Sequence, residues 1–591
     1  MTSKILVSMG TCGIAAGTTP VLEAICDELK ARDLAGSVEI IETGCMGLCH
    51  SEPSIEVRRA DGTFGIFGNV TAKQAVAVVD ALDGGDKGLE SLPRTWYYPE
   101  DEENIEGVIQ ARIALRNTGR INPENLDQYI ANGGYAALAK AVTEMTSADI
   151  ISVVTKSGLR GRGGGGFPTG MKWGFAAREE ASEKYVICNA DEGDPGAFMD
   201  RAVLEGDPHS VLEAMALAGY AIGADQGVIY IRAEYPLAIK RLDIAIDQAH
   251  GQGLLGKNLF GSDFHFDIEL KYGAGAFVCG EETALIHSIE GMRGEPTFKP
   301  PFPAVQGLWK KPTTVNNVET LANIPAIVRK GAEWFRSLGT KKSTGTKVFA
   351  LAGKISKVGL VEVPMGTTLR DVIFGVGGGI LDGKRFKAVQ TGGPSGGCIK
   401  EDALDAPIDY DNLVSLGSMM GSGGMIVMDE DDCMVNIARF FLEFTLDESC
   451  GKCTPCRVGN KRMFEMLTDI TQGRGTPETL RKLKSLGGII KDTALCGLGQ
   501  TSPNPVLSTM AQFPEEYAAH VNEKKCPAGV CASLISFEVT DNCVGCTLCA
   551  RNCPVNCISG ERKKMHVIDD AACIRCGVCY DTCKFHAIIK K

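Results

Sequence analysis

The sequence predicts a multidomain protein built from α/β and α+β units. Its 591 residues correspond to about four domains at roughly 150 residues each. With 44% hydrophobic and 23% charged residues the composition is that of a folded globular chain, which argues against long disorder and coiled coil. The 23 cysteines are clustered, most of them between Cys450 and Cys583. Lysine and arginine number 61 against 73 acidic residues, a net charge of −12, so no basic footprint for nucleic acid is expected. No run of about 18 apolar residues appears, so no membrane span is expected. The N-terminal run to Met9 is strand-like and soon reaches Gly10 and Cys12, without the longer apolar core of a signal peptide. A cytosolic location follows, and in that reducing setting the cysteines read as metal ligands or catalytic thiols.

Their spacing carries the chemistry. The C-terminal residues read Cys543-x2-Cys546-x2-Cys549-x3-Cys553-Pro554, then Cys573-x2-Cys576-x2-Cys579-x3-Cys583. This is the bacterial two-cluster ferredoxin run, in which three closely spaced thiolates grip one cubane and the fourth ligates the other. Crossing the fourth ligands assigns Cys543, Cys546, Cys549 and Cys583 to one [4Fe-4S] cluster. The other takes Cys573, Cys576, Cys579 and Cys553. A pair of zinc knuckles is the competing reading, but zinc sites rarely take three close thiolates and a remote fourth. Lys584 stands where a proline often follows, and Cys557 is surplus, read as a small buried hydrophobe. A second constellation, Cys450, Cys453 and Cys456 with Cys496 forty residues on, flanks helix-like sequence. It suits a third [4Fe-4S] cluster in a helical domain, with zinc as the alternative on spacing alone.

Residues 157–175 are glycine-rich. A G-x-G-x-x-G passes through Gly161, Gly163 and Gly166, but no clear strand-to-helix turn precedes it, so the context is wrong for a Rossmann unit. A glycine-rich backbone still approaches phosphate closely and offers it N–H donors. Lys172 adds positive charge, and Phe167 and Phe175 offer faces to a flat ring; a flexible surface loop is the bland alternative. The Tyr185–Pro195 segment reads as a buried strand ending in polar groups, and such strand ends present ligand-binding side chains in α/β sheets. In 273–285 a strand enters a helix with Glu281 and Glu282 in its first turn, where a helix cap is the bland reading.

Together, the blocks Gly158–Trp173, Asn189–Glu192, Cys279–Leu285, Val315–Thr320 and Glu448–Gly459 with Cys496 closely resemble the flavoprotein subunit of respiratory complex I. The resemblance spans roughly residues 105 to 510. It implies an FMN cradle from Gly161, Arg162, Gly163, Gly164, Asn189, Asp191, Gly280, Asn316 and Asn317, with Lys172 approaching both FMN and NADH. Phe167, Phe175, Glu192, Glu281, Glu282 and Phe302 would line the dinucleotide site. Asp194 stands where the respiratory protein usually has glutamate, and Phe277 where it usually has tyrosine. The whole architecture resembles more narrowly the beta subunit of multimeric, often electron-bifurcating, NAD(P)-dependent [FeFe]-hydrogenases. Similar subunits serve formate dehydrogenases and ferredoxin-linked transhydrogenases.

Residues 1–85 read as strand, helix (20–31), strand (37–43), the Cys45–Cys49 loop, two short strands and a helix (71–82). That order resembles thioredoxin-like [2Fe-2S] ferredoxins. Cys12, Cys45 and Cys49 match three ligands, Gly17 occupies the fourth position, and Cys26 is a doubtful replacement; a degenerate docking domain is the alternative. His520, Cys526 and Cys531 suit a structural Zn2+, with Cys433 as the candidate fourth ligand. A β-rich unit beginning at Lys347 and ending near Met428 resembles the ubiquitin-like β-grasp fold.

The expected organisation is thus a thioredoxin-like domain (1–88), an FMN and NAD(P)H-binding domain (100–340), a β-grasp domain (341–430), a helical [4Fe-4S] domain (431–515), a zinc joint (516–535) and a two-cluster ferredoxin (536–591). The resemblance implies hydride exchange between NAD(P)(H) and FMN and single-electron transfer through the clusters, with no catalytic side chain needed. The implied hetero-oligomer contains a hydrogenase-like catalytic subunit, a small [2Fe-2S] thioredoxin-like subunit and, as a further acceptor, ferredoxin. Two alternatives keep this chain's chemistry but change the partner to a formate dehydrogenase or a transhydrogenase. A third reading, from another class, is an electron-conducting scaffold with an inert flavin site, which the retention of Lys172, Glu281 and Glu282 argues against.

Overall fold

The computed structural model describes residues 2–85, 87–92 and 110–591, so the expected junction between the first two domains, and the start of the second at residue 100, lie outside the described residues. The chain divides into two compact units, Met1–Val427 and Met428–Lys591.

The first unit begins with a five-stranded sheet of β1 (Ser3–Ser8), β2 (Val38–Thr43), β3 (Ile55–Arg58), β4 (Phe64–Gly68) and β5 (Glu90–Ser91), in the order β2-β1-β3-β4-β5. β1 runs parallel to β2 and antiparallel to β3. Successive side chains of a strand point to opposite faces, and β1 uses both. Ile5 and Val7 pack with Val21, Ile25 and Leu29 of the Thr18–Ala31 helix, whereas Leu6 joins a core shared with Phe349, Leu351 and Val361. The cysteine loop after β2 is pinned to the rest of the unit. Leu360 N–H donates to Gly47 O (3.0 Å), His50 N–H to Val358 O (2.9 Å), and Arg112 Nη2 to Met46 O (2.7 Å).

A second sheet contains β6 (Tyr185–Ala190), β7 (Gln226–Arg232), β8 (Asp267–Gly273) and β9 (Thr313–Asn317), ordered β8-β7-β6-β9 and entirely parallel. Val186, Ile187 and Cys188 of β6 and Val228 to Ile231 of β7 are buried without alternation, as strands covered on both faces require. The Pro208–Ile222 helix is apolar nearly all round and buried to match. The chain goes from β6 outward through β7 and β8, then returns to lie on the other side of β6. The order therefore reverses at the β6/β9 boundary, which is where open α/β sheets bind ligands.

The expected β-rich unit is a third sheet of β10 (Thr346–Gly353), β11 (Gly359–Pro364), β12 (Phe386–Thr391), β13 (Gly397–Lys400) and β14 (Gly424–Asp429). Its order is β11-β10-β14-β12-β13, with β10 parallel to β14. It is joined to the second sheet by a buried charge network. Lys347 Nζ bonds the Glu319 carboxylate and donates to Ser422 O and Val348 O, both at 2.7 Å. Glu319 Oε1 accepts from Val348 N–H (2.9 Å), and Glu319 N–H donates to Asp200 Oδ1 (3.2 Å).

The second unit opens with helices Met434–Asp447, Asn460–Thr471, Pro477–Thr493 and Asn504–Gln512. It closes on two small halves, each with a short helix, Leu548–Asn552 and Val578–Thr582. Strand Phe537–Val539 pairs with Ile588–Lys590, so the end of the chain closes the segment against its start. No helix among the described residues is long and apolar enough to cross a membrane.

Removing one partner of a buried ion pair leaves the other charge uncompensated, at a cost of about 3–5 kcal/mol. Lys347→Met is therefore expected to lower the denaturation midpoint of the first unit, read by tryptophan fluorescence. Adding Glu319→Leu to it is expected to recover much of the loss.

Candidate functional site

The glycine loop lies between two helices, Ser147–Ser157 and Thr169–Arg178, which confirms that it is not a strand-to-helix turn. Gly161 N–H donates to Phe167 O (2.8 Å) and Thr169 N–H to Leu159 O (2.9 Å), closing the loop on itself. Gly163 packs against Asn317, where an added Cβ would come within 3.0 Å of the asparagine Cβ. Gly164, at φ +120, bridges to Gly421, and a Cβ at Gly165 would meet nothing. The loop thus sits over the β6/β9 boundary with its crest facing open space.

Arg162 departs from the expected cradle. Its side chain is fully buried, and its guanidinium donates to Thr346 O (3.0 Å), Arg160 O (2.9 Å) and Thr344 O (2.7 Å). The Arg162 backbone is engaged as well, its N–H donating to Thr320 Oγ1 (2.8 Å), so the residue is an anchor of the loop, because three buried carbonyls need donors. The asparagines are likewise engaged. Asn189 Nδ2 donates to Gly280 O (2.8 Å), and Asn316 Oδ1 accepts from Trp173 Nε1 (2.9 Å). Asn317 caps the Val318–Lys330 helix through Thr320 N–H (3.2 Å) and donates to Asp200 Oδ2 (2.5 Å). A Cβ on Gly280 would lie 3.6 Å from Asp191 O, an ordinary contact between the two backbone segments.

Lys172 Nζ donates to Val315 O (3.0 Å) at β9 and stands 3.9 Å from Glu282. Burial lowers its pKa, with Glu282 opposing. Glu281 is the helix cap the bland reading foresaw: it accepts from Thr283 N–H (2.9 Å) and Ala284 N–H (3.1 Å). It also faces Lys299, whose Nζ bridges Glu281 (2.9 Å) and Glu282 (2.7 Å). Burial alone would raise the Glu281 pKa, but Lys299 and Thr283 hold it below its ordinary value. Lys299 escaped the sequence reading; its only signal was a lysine beside Pro300 and Pro301. Glu192 turns away from solvent to accept from Asp200 and Arg201 N–H (3.1 Å each), satisfying the first turn of the Met199–Gly206 helix. Phe167 and Phe175 pair at 6.4 Å with 44° between planes, both partly exposed, and Phe302 is exposed at the start of the Pro303–Gln306 helix. Backbone approach, amide side chains and a lysine at a switch point form a donor set that fits a flavin mononucleotide.

The cysteines gather as their spacing foretells. In the N-terminal domain Cys45 and Cys49 Sγ are 3.9 Å apart, and Cys12 accepts from Arg201 Nη2 (3.7 Å). Its hydrogen bond with Cys49, helped by Arg201, draws the Cys12 thiol down to about 6. Gly17, at φ +97, forms the kink between two helices, while Cys26 has Lys30, Glu42 and Asp27 as its charged neighbours and stands outside the group. In the second unit Cys456 interacts with Cys450, Cys453 and Cys496, and its sulfur receives Asn460 Nδ2 (3.4 Å). In the C-terminal segment one cavity is lined by Cys543, Cys546, Cys549 and Cys583, and another by Cys553, Cys573, Cys576 and Cys579. This is the crossed arrangement, and a cubane's four thiolates fit it.

The ligand atoms of Cys433, His520, Cys526 and Cys531 all lie within 4.8 Å of one another, and all four residues are buried. His520 Nδ1 bonds Glu516 O (2.7 Å), which leaves Nε2 facing Cys433 and Cys531, each at 3.4 Å. A backbone carbonyl on one ring nitrogen, presenting the other, is how a metal-binding histidine is oriented.

Two family models match the chain: the Nuo51 FMN-binding domain over residues 154–326, and the NADH-ubiquinone oxidoreductase-F iron-sulfur binding region over 436–520. The chain is 66% identical over 483 residues to the NADP-reducing hydrogenase subunit HndC of Solidesulfovibrio fructosivorans, covering 82% of this chain and 98% of that one. It is 46% identical to an NADH-quinone oxidoreductase subunit of Rhizobium meliloti, covering 70% and 99%. Among solved structures it is similar to the NAD+-reducing [NiFe]-hydrogenase in the H2-reduced state, with a TM-score of 0.61, 32% identity, and coverage of 88% of this chain and 84% of that one. Fold and site define a flavin- and iron-sulfur-binding oxidoreductase subunit. The chain belongs to the family of FMN-binding flavoprotein subunits shared by NADH-quinone oxidoreductases and NAD(P)-linked hydrogenases.

Asp194 follows the tip of β6, half-buried, with Oδ2 accepting from Ser422 Oγ (2.5 Å). Burial raises its pKa from 3.8 to about 6 against that hydrogen bond. A pKa raised on folding contributes stability that is present below the unfolded value and is lost as pH rises through the folded one. Relative to Asp194→Asn, the native chain is therefore expected to lose denaturant resistance between about pH 4 and pH 7. A constant difference across that window would contradict the assignment.

Proposed function

We propose that this chain is the flavoprotein subunit of an NAD(P)-linked hydrogenase complex, passing electrons between a nicotinamide dinucleotide and partner subunits. The observation that carries the reading is the coexistence, in one chain, of a glycine-lined crevice at a sheet switch point and of cysteine groups in the crossed two-cluster order. FMN, when bound, supplies the conversion between two-electron nicotinamide chemistry and one-electron iron-sulfur chemistry. The chain's residues position and tune it. Gly161, Gly163 and Gly164 admit the flavin phosphate close to backbone donors, and Lys172 adds a cation aimed at the same crevice. Asn189, Asp191, Gly280, Asn316 and Asn317 shape the floor. Glu281 and Glu282, clamped by Lys299, with Phe167, Phe175 and Phe302 at the rim, form the entrance for the dinucleotide.

Cys450, Cys453, Cys456 and Cys496 hold one [4Fe-4S] cluster in this reading, and the two C-terminal sets hold two more. Cys12, Cys45 and Cys49 hold a [2Fe-2S] cluster in a thioredoxin-like domain, whose sheet order supports that name. The β11-β10-β14-β12-β13 order likewise supports a β-grasp domain between flavin and helical parts. Cys433, His520, Cys526 and Cys531 hold a structural Zn2+, because four buried N and S ligands leave no open position for catalysis. Separate cluster sets in the N- and C-terminal domains favour branching transfer to a hydrogenase-like subunit, a small [2Fe-2S] subunit and ferredoxin. The thiol-rich composition supports a cytoplasmic setting.

The test is anaerobic addition of NADH or NADPH to the isolated chain. Loss of flavin absorbance followed by the electron paramagnetic resonance (EPR) of reduced clusters is expected; clusters that stay oxidised with either nucleotide would overturn the reading. Lys172→Met is expected to weaken cofactor or nucleotide binding about 10- to 100-fold, the loss of a charged hydrogen bond worth about 1.5–3 kcal/mol. Elemental analysis is expected to find about one zinc per chain, absent from Cys433→Ala.

A further inference from the structure

Among the positions at which the two C-terminal halves differ, one that lines their thiol cavities exchanges alanine for cysteine. Counting four residues beyond the last cysteine of each run reaches Ala587 in one half and Cys557 in the other. The backbone there is equivalent: Ala587 N–H donates to Cys583 Sγ (3.3 Å), and Cys557 N–H to Cys553 Sγ (3.4 Å). Both side chains are buried, and each lines the cavity of its own thiol set. The duplicated fold therefore asks only for a small apolar group, and Ala587 shows that no sulfur is needed for packing. Cys557 nevertheless places its Sγ 3.4 Å from that of Cys553, with Cys573 as a second thiol neighbour. Two sulfurs bound to one tetrahedral metal at about 2.3 Å stand about 3.8 Å apart. The separation of Cys553 and Cys557 is close to that spacing, so either sulfur can reach the same iron. The buried core thiol Cys398 is different, because its partner is the side-chain oxygen of Gln390 (3.1 Å).

We propose that Cys557 is a reserve ligand of the second C-terminal cluster site, able to take the iron held by Cys553; this rests on the reading that the site holds a [4Fe-4S] cluster. The exchange breaks the iron–sulfur bond to Cys553 and forms one to Cys557. The Cys557 thiol proton passes to the released Cys553 thiolate, and no electron is transferred. The first site, with Ala587 in the corresponding place, has no such reserve. Loss of Cys553 to oxidation or mutation then spares its cluster, whereas loss of Cys583 does not spare the other.

The test compares full-length variants, each reconstituted anaerobically with iron and sulfide, by iron content and EPR. Cys553→Ala is expected to match the native chain in iron, with no three-iron cluster signal. Cys553→Ala with Cys557→Ala, and Cys583→Ala alone, are each expected to lose about one iron and show that signal after mild oxidation. Cys583→Ala with Ala587→Cys is expected to regain the lost iron, which tests the geometry even where a deletion disturbs folding. A three-iron signal in Cys553→Ala as large as in its double variant would overturn the proposal while the native chain still carries both cubanes. A native chain lacking them would overturn the cluster reading itself.

Discussion

The first unit depends on one buried contact, the Lys347 ammonium held by the Glu319 carboxylate at the foot of the flavin crevice. Glu319 belongs to the first turn of the Val318–Lys330 helix, and Lys347 to β10 of the next sheet. Neither charge has water to turn to, so each fixes the other. Asp200 extends the contact to Asn317 and through it to the end of β9. One network thereby sets the distance between two sheets, caps a helix and fixes the crevice wall. The glycine loop then lies so close to Asn317 that a Cβ at Gly163 would stand 3.0 Å from the asparagine Cβ, a tight contact.

Electrostatics in the crevice follow from enclosure. Asp194 and Glu192 are pushed toward their neutral forms by burial, while the less buried Glu281 is held below its ordinary pKa by Lys299 and Thr283. Burial outweighs the nearby Arg201 at Glu192 and the Ser422 hydrogen bond at Asp194, whereas at Glu281 the paired Lys299 and Thr283 outweigh burial. A dinucleotide carries negative phosphates, so a rim whose acids are clamped by Lys299 and Lys172 presents less repulsion than its formal charge indicates. The same logic governs the thiols: hydrogen bonding and Arg201 draw the Cys12 thiol down, while burial pushes that of Cys456 up.

The residues that sequence reading placed best are those whose chemistry is local. Three cysteines with two residues between each wrap one loop, and the order of two such runs implies their crossing. The glycine loop, the β6 strand and the Glu281 cap were legible for the same reason. Arg162 was not, because the direction of a side chain depends on which carbonyls the fold leaves unsatisfied. Thr344 and Thr346, far along the chain, supply two of them and draw the guanidinium inward. Lys299 was missed because its partners lie on a helix that ends ten residues earlier.

By itself the sequence determined the family and the grouping of the C-terminal cysteines into two crossed sets around separate cavities, since covalent spacing within a loop limits what its side chains can grip. Only the tertiary structure decided which distant groups meet. It brought Cys433 to His520 across 87 residues, set Cys557 beside Cys553 as a ligand-spaced pair, and turned Arg162 from a ligand contact into an anchor. Burial made those choices, because a polar atom taken out of water must find its partner wherever packing has placed one.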